Sequence, residues 1–196
     1  MPRQTLREVS GLDNTPAVLA DATLILVDYQ NTYTQGVMEL EGWRPALDAA
    51  SELLGAARAA GTPVIHIVHD GGTGSPYDLE SEGGRIHSAV APIEGETVIT
   101  KTAPNAFVGT DLEEIIDAAG RKDVVIAGFM THMCVTFTAE GAFLRGYRPT
   151  VVADACATRS LPGAVAEVSA PTLHNSALAT ISDLYAVVVG SAAALG

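Results

Sequence analysis

Three residues of types that support nucleophilic catalysis stand next to short apolar segments: Asp28, Lys101 and Cys134. Asp28 ends the segment TLILVD, where loss of water around a carboxylate raises its pKa toward that of a useful base. Cys134 opens a predicted helix, where free amides and the positive end of the helix dipole favour a thiolate. Lys101 ends TVITK and could hold both groups in their charged forms. The three types together indicate a base, a cationic support and a nucleophile.

Each of these residues also has a structural explanation. Asp28 could cap a turn, Lys101 could be a solvated surface lysine, and Cys134 could be a buried inert thiol. His132 suggests a cysteine–histidine pair, but neighbouring side chains at a tight turn usually diverge. Cys156 is expected to serve packing, since a structural disulfide between the two cysteines is improbable in a reducing compartment.

Two further histidines invite a metal-site interpretation. His66 and His69 lie in one predicted strand, separated by an odd number of positions, so their side chains should point to opposite faces. They should not share one metal ion.

The elements that position these residues follow from alternating β-branched and alanine-rich segments, which favour a parallel sheet covered by helices on both faces. Predicted strands occupy residues 23–28, 63–69, 97–101, 123–127, 150–154 and 185–189, and predicted helices occupy 44–60, 110–119, 134–145 and 163–180. Three glycines, Gly61, Gly120 and Gly146, stand where helices should end. The prediction is one α/β, doubly wound domain over residues 1–196, with the polar residues at the carboxyl ends of its strands.

The amino-acid composition limits the kinds of molecule that the protein is expected to bind. The formal net charge of −12 disfavours binding to nucleic acid. The sequence has no apolar segment of a signal peptide or a membrane span, so we expect a cytoplasmic protein. The glycine-rich residues 70–96 predict a mobile functional loop, and their GGTG lacks the Gly-Lys-Ser/Thr of a phosphate-binding loop.

Three motifs resemble those of the isochorismatase-like cysteine hydrolases, a family that includes nicotinamidases, N-carbamoylsarcosine amidohydrolases and streptothricin hydrolase. They are DYQNTY from Asp28, KTAPNAF from Lys101, and GFMTHMCV, which contains Cys134. The resemblance extends over about residues 22–189. It implies a three-layer fold with a six-stranded, mainly parallel sheet in the order 3-2-1-4-5-6. Since strand 3 then lies two positions from strand 1, we expect the backbone at Lys101 to curl inward.

The resemblance also implies roles for particular residues. Asp28 would be the general base, and a cis peptide between Phe129 and Met130 would direct the Met130 N–H, with the Cys134 N–H, into an oxyanion hole. Tyr33 would line the substrate pocket, and we expect His69, Phe107 and Gln30 to contribute to it.

One departure from the family concerns metal binding. Nicotinamidases hold a metal through Asp-x-His after the second strand, whereas this sequence has Asp70-Gly71-Gly72. No catalytic metal and no other cofactor are therefore expected, and nicotinamide is not the expected substrate.

The function that the resemblance implies is hydrolysis of an amide, lactam or carbamoyl C–N bond of a small molecule through a thioester on Cys134. Two alternatives stay open: hydrolysis of a vinyl ether, which needs no covalent cysteine, and a non-catalytic module that binds a small molecule. The resemblance also implies a homo-oligomer.

Overall fold

The computed structural model describes residues 3–196. Six strands form one sheet in the order β3-β2-β1-β4-β5-β6, and every pair of neighbours is parallel. The strands are β1 (Ala22–Val27), β2 (Val64–His69), β3 (Thr97–Lys101), β4 (Asp123–Gly128), β5 (Arg148–Val152) and β6 (Val187–Val189). The predicted fold class and strand order are confirmed.

The helices are α1 (Leu6–Val9), α2 (Trp43–Ala59), α3 (Leu112–Ala119), α4 (Thr136–Leu144) and α5 (Ala170–Thr180). Apolar residues at helical spacing, such as Ala46, Leu47, Ala50 and Leu54, bury one face of α2 in the core on one side of the sheet. A second core, with residues of α3 and α4, lies on the other side. No helix among residues 3–196 is long and apolar enough to cross a membrane.

The helix predicted over residues 163–180 starts later than expected. Residues 161–168 form a turn closed by an antiparallel bridge between Leu161 and Val168. The helix begins only at Ala170, where the Ser169 side chain accepts a hydrogen bond from the Thr172 N–H. Ser169 is an N-cap residue and Pro171 favours the first helical turn, so the sequence carried the correct start signal.

The carboxyl edge of the sheet between β1 and β4 is packed very closely. Gly128 pairs with Val27, and a Cβ atom added to Gly128 would lie 2.1 Å from the Val27 carbonyl oxygen. Glycine is required here because any side chain would push the two strands apart. Because Asp28 directly follows Val27, this contact also sets the position of Asp28 relative to the segment that holds Cys134.

The segment 70–96 is fixed to the protein by several backbone hydrogen bonds. The N–H groups of Asn31 and Thr32 donate to the carbonyls of Arg85 and Gly83 at 2.9 and 2.8 Å, and the His87 N–H donates to the Tyr29 carbonyl at 2.8 Å. This long segment therefore packs directly against the chain that follows Asp28.

Candidate active site

Asp28, Lys101 and Cys134 meet at the carboxyl edge of the sheet, at the switch point between β1 and β4. The Lys101 Nζ lies 2.7 Å from Asp28 Oδ2 and donates a hydrogen bond to Cys134 Sγ at 3.3 Å. The side chains of Asp28 and Lys101 are fully buried. A buried ammonium thus contacts both a carboxylate and a thiol.

The side chain of Lys101, and not its backbone, spans the distance from β3 to Asp28. β3 keeps its pairing with β2 to the end, where the Asp70 N–H donates to the Lys101 carbonyl at 2.9 Å. The inward curl of the backbone expected from the sequence was therefore wrong. A lysine side chain is long enough to pass the end of β2 and reach Asp28.

The backbone around Asp28 and Cys134 departs from regular structure. Asp28 has a φ of 54°, an uncommon conformation for a residue other than glycine, and such residues concentrate at functional sites. Cys134 lies in a π-helical turn, Thr131–Val135, directly before α4. Turns of this kind inside helices are also frequent at functional sites.

The peptide between Phe129 and Met130 is cis, at the position expected from the motif. The Met130 carbonyl accepts hydrogen bonds from the N–H groups of Met133 and Val135, and the Thr131 N–H donates to the Ala157 carbonyl. Within residues 3–196, no hydrogen bond from the Met130 N–H is found. This amide is therefore free to donate to a bound group.

The electrostatics of the site favour a protonated thiol at rest. Burial, and next the charge of Asp28, raise the pKa of Cys134 from 9.0 to about 12, while Lys101 opposes the increase. Burial also raises the pKa of Asp28, again opposed by Lys101. Loss of solvent and the neighbouring carboxylate therefore oppose the thiolate that the sequence favours, while Lys101 supports it. Burial thus acts against the charged forms of both Asp28 and Cys134, and Lys101 acts in favour of them.

His69 completes the contacts of the lysine. Its Nδ1 accepts a hydrogen bond from Lys101 Nζ at 3.3 Å, so this nitrogen must carry no proton. Burial and the charge of Lys101 lower the pKa of His69, which favours that neutral form. Lys101 Nζ thus forms an ion pair with Asp28 and donates hydrogen bonds to Cys134 and His69.

Gln30 holds the end of β2 in place. Its amide donates to the carbonyls of His69 and Gly84 at 2.9 and 2.7 Å, and its oxygen accepts from the His69 N–H at 3.0 Å. The side chain is completely buried. Gln30 therefore supports His69 and the segment 70–96, and its two N–H bonds are already in use.

Tyr33 and Phe107, the two aromatic residues expected to line the substrate pocket, lie in different parts of the structure. The ring of Tyr33 is buried 5.7 Å from the rings of Tyr77 and Phe129, and burial, with a smaller contribution from the charge of Asp28, raises the pKa of its hydroxyl. Phe107 stacks on Tyr147 at 6.1 Å, with the Arg145 guanidinium 4.7 Å above its ring. Thus the contacts of Phe107 are packing contacts with the end of α4 and the start of β5.

The remaining histidines and the second cysteine have other partners. His132 Nδ1 lies 2.5 Å from the Thr158 hydroxyl, and His66 pairs with Glu96 at 2.9 Å. The Cys156 thiol donates to the Val152 carbonyl at 3.2 Å. Among residues 3–196, no three His, Cys, Asp or Glu side chains are close enough together to hold a metal ion.

A surface cavity of about 480 Å³ lies between α2 and α5. The residues that line it include Asp154, Cys156, Thr158 and His174. Asp28, Lys101 and Cys134 do not line this cavity. The site around Cys134 is instead bordered by the partly exposed His69, Tyr77, His132 and Met133.

Comparison with known proteins identifies the family. The sequence model of the isochorismatase domain matches residues 22–193. The chain belongs to the isochorismatase family. The secreted isochorismatase effector Isc1 of Verticillium dahliae is 34% identical over 95% of this chain and 97% of its own length. The crystal structure of an isochorismatase from Pseudomonas putida is 37% identical, covers 100% of both chains and superposes with a TM-score of 0.96.

Other relatives within the isochorismatase family are named for particular hydrolyses. Streptothricin hydrolase of Streptomyces noursei is 34% identical over 72% of this chain and 51% of its own length. The ureidoacrylate amidohydrolase RutB of Klebsiella pneumoniae is 29% identical over 68% of this chain and 72% of its own length. This chain is therefore an isochorismatase-family hydrolase, as the sequence motifs predicted.

Proposed function

We propose that this protein is a cysteine hydrolase that cleaves a C–N bond of a small molecule through a thioester on Cys134. The single observation that carries the proposal is the buried contact of one ammonium with both a carboxylate and a thiol, at 2.7 and 3.3 Å. A site that only binds a small molecule has no need to bury a charged pair next to a nucleophile. The relative named as an amidohydrolase supports the same bond class.

The first half of the reaction uses Asp28 as a base. The ionised carboxylate takes the proton of the Cys134 thiol while the sulfur attacks the substrate carbonyl carbon, and a C–S bond forms. The π electrons of the C=O bond move to its oxygen, and Lys101 stabilises the negative charge as it passes from the carboxylate through the sulfur toward that oxygen. Because proton transfer occurs together with attack, a high thiol pKa at rest is compatible with catalysis.

The oxyanion of the tetrahedral intermediate would accept hydrogen bonds from the N–H groups of Met130 and Cys134. The unpartnered Met130 N–H supports this assignment. Donors already fixed in place need no reorganisation as charge develops, and losing one such donor in other enzymes costs roughly 3 to 4 kcal/mol of transition-state stabilisation.

The second half of the reaction returns the enzyme to its starting state. Protonated Asp28 gives its proton to the leaving nitrogen, the C–N bond breaks, and a thioester remains on Cys134. Asp28 then takes a proton from a water molecule that attacks the thioester carbonyl. The acid leaves, and the sulfur regains its proton from Asp28.

A second candidate is vinyl-ether hydrolysis, which the name of the effector from Verticillium dahliae favours. In that reaction Asp28 would supply a proton and Cys134 would form no covalent bond. The thiol held by Lys101 gives preference to the covalent mechanism.

The experiment that separates these candidates is a substrate panel of primary amides, lactams, ureido acids and vinyl ethers. Nitrogen release from an amide, together with a hydroxamate when hydroxylamine is added, supports the thioester, since this intermediate reacts with any good nucleophile. Cleavage of only vinyl ethers, with equal rates for the wild type and Cys134→Ala, would contradict the proposal.

A further inference from the structure

The contact between Lys101 and Cys134 places an amine next to a thiol inside the protein. Lys101 Nζ lies 3.3 Å from Cys134 Sγ, and both side chains are buried. The lysine side chain has a flexible four-carbon stem, so the nitrogen can approach the sulfur further without a change of the backbone. The proposed hydrolysis uses Lys101 only for its charge, and the nucleophilic character of its nitrogen has no role in that reaction.

Asp28 can convert the Lys101 ammonium into a nucleophilic amine. Its Oδ2 lies 2.7 Å from Lys101 Nζ, and both side chains are fully buried. Burial favours the neutral forms of both groups, so Asp28 can take a proton from Lys101 and leave two neutral groups. If Lys101 then loses its charge by forming a covalent bond, no unpaired charge is left in the site as long as Asp28 keeps the proton.

The Cys134 thiol can be reached by a small oxidant. The site around it is bordered by the partly exposed His69, Tyr77 and His132. Hydrogen peroxide is small and uncharged, and it oxidises cysteine to a sulfenic acid. The sulfur of a sulfenic acid reacts with thiols and even with backbone amide nitrogens, which are weaker nucleophiles than an amine. Lys101 Nζ is in contact with this sulfur at 3.3 Å.

Cys156 is the natural comparison within the same chain. Cys134 and Cys156 are 6% and 5% exposed, so access alone does not distinguish them. The Cys156 thiol donates to the Val152 carbonyl at 3.2 Å, and within residues 3–196 no hydrogen bond joins it to an amine. The neighbouring lysine is therefore the feature that sets Cys134 apart.

We propose that a peroxide joins Lys101 and Cys134 through a reversible nitrogen–sulfur bond. In the first step Asp28 takes the thiol proton while the sulfur attacks a peroxide oxygen. The O–O bond breaks, a sulfenic acid forms, and the released hydroxide leaves as water with the proton from Asp28.

The second step forms the cross-link. Asp28 takes a proton from the Lys101 ammonium, and the amine nitrogen attacks the sulfur of the sulfenic acid. The S–O bond breaks, and the hydroxide leaves as water with the proton from Asp28. The nitrogen then gives a second proton to Asp28, which ends the reaction as a neutral acid beside a neutral sulfenamide.

The cross-link would protect the nucleophile from permanent damage. Further oxidation of a sulfenic acid gives sulfinic and sulfonic acids, which are irreversible in most proteins. A dithiol reduces the sulfenamide to the original thiol and amine and is itself oxidised to a disulfide. This inference goes beyond the proposed function and does not depend on it, because it needs only the contact of the two side chains.

The test treats wild-type protein with hydrogen peroxide, digests it at neutral pH without reductant, and examines the peptides by mass spectrometry. We expect one peptide containing Lys101 and one containing Cys134 to be joined with the loss of two hydrogen atoms. Dithiothreitol should separate them and restore a Cys134 thiol that iodoacetamide alkylates in the unfolded chain. No substrate is needed, so this result is independent of the proposed hydrolysis.

Two variants serve as comparisons. Lys101→Arg keeps a cation beside Asp28 but removes the nucleophilic amine, because a guanidinium stays protonated. It should give no linked peptide, and peroxide should convert its Cys134 to acids that dithiothreitol does not reduce. Cys156→Ala is the matched control and should give the same linked peptide as wild type. The peptides of the wild type decide the proposal even if Lys101→Arg does not fold.

Four results for the wild-type protein would overturn the proposal. The first is a Cys134 thiol that peroxide leaves unchanged, and the second is a Cys134 found only as sulfinic or sulfonic acid. The third is a loss of two hydrogen atoms within the Cys134 peptide alone, which would place the bond on a backbone nitrogen. The fourth is a linked pair of peptides that retains a peroxide oxygen or contains Cys156 in place of Cys134.

Discussion

Replacing Lys101 by methionine should strongly destabilise the protein, because it leaves the Asp28 carboxylate buried without its cation. Both side chains are fully buried, and their charged atoms are 2.7 Å apart. Methionine keeps most of the length of lysine, so the main change is the loss of charge. Breaking such a pair by removing one partner destabilises proteins by about 3 to 5 kcal/mol, and we expect this range at neutral pH.

The pH dependence of this effect has a definite sign. Lys101 lowers the pKa of Asp28 against the larger effect of burial, so the variant should raise that pKa further. An acid whose pKa is higher in the folded than in the unfolded state stabilises the fold at low pH. That stability is lost as the pH rises through the folded-state pKa. The deficit of Lys101→Met relative to wild type should therefore increase from mildly acidic to neutral pH.

The assay is urea unfolding followed by circular dichroism, with the free energy of unfolding measured at several pH values. Lys122→Met is the matched control, since Lys122 and Asp117 are 60% and 56% exposed and 3.4 Å apart. An exposed pair contributes at most about 1 kcal/mol. Adding Asp28→Asn to Lys101→Met should recover much of the stability, because no buried charge is left alone.

Two results would refute this reasoning. One is a loss for Lys101→Met as small as that for Lys122→Met. The other is a double variant no more stable than the single variant, which would show that Lys101 acts through packing and not through its charge.

Three further substitutions test other parts of the site. Asp28→Asn removes a charge that raises the Cys134 pKa and leaves Lys101 facing the thiol, so the rate of iodoacetamide alkylation should have a lower midpoint pH than in wild type, while turnover is lost; an unchanged or higher midpoint would contradict the assigned electrostatics. Gly128→Ala places a Cβ atom 2.1 Å from the Val27 carbonyl oxygen. It should lower the free energy of unfolding by roughly 1 to 3 kcal/mol or more and reduce kcat. Gly42→Ala should leave kcat unchanged, because a Cβ atom added at Gly42 has no other atom within 4 Å. Gln30→Leu leaves backbone groups of His69 and Gly84 without hydrogen-bond partners. The free energy of unfolding should fall by about 1 to 3 kcal/mol for each unsatisfied group, and kcat should fall as well. A variant with wild-type stability would show that these hydrogen bonds are dispensable.

The main features of the fold could be predicted from the sequence because buried parallel strands produce continuous apolar segments. The residues at their carboxyl ends then meet at one edge of the sheet, which is why Asp28, Lys101 and Cys134 were identified together. The early start assigned to α5 came from reading residues 163–169 as helix, although Ser169 and Pro171 carried the true start signal.

Features that depend on long-range contacts could not be predicted. The bonds of Gln30 to His69 and Gly84 join the ends of segments far apart in the sequence, and no local pattern indicates them. The pKa of the Cys134 thiol depends on the balance between burial and Asp28 on one side and Lys101 on the other. That balance is set by distances between side chains, which the sequence does not contain. A cytoplasmic location and a homo-oligomer stay predictions, and light scattering of the purified protein tests the second.

The most direct test of the central claim is the mass of the enzyme during turnover. Wild-type protein is mixed with a C–N substrate that it cleaves, quenched in acid, digested and examined by mass spectrometry. The account predicts that the peptide containing Cys134 gains the mass of the substrate's acyl group, and that Cys134→Ala shows neither the added mass nor nitrogen release. Nitrogen release by Cys134→Ala at the wild-type rate would contradict a thioester on Cys134.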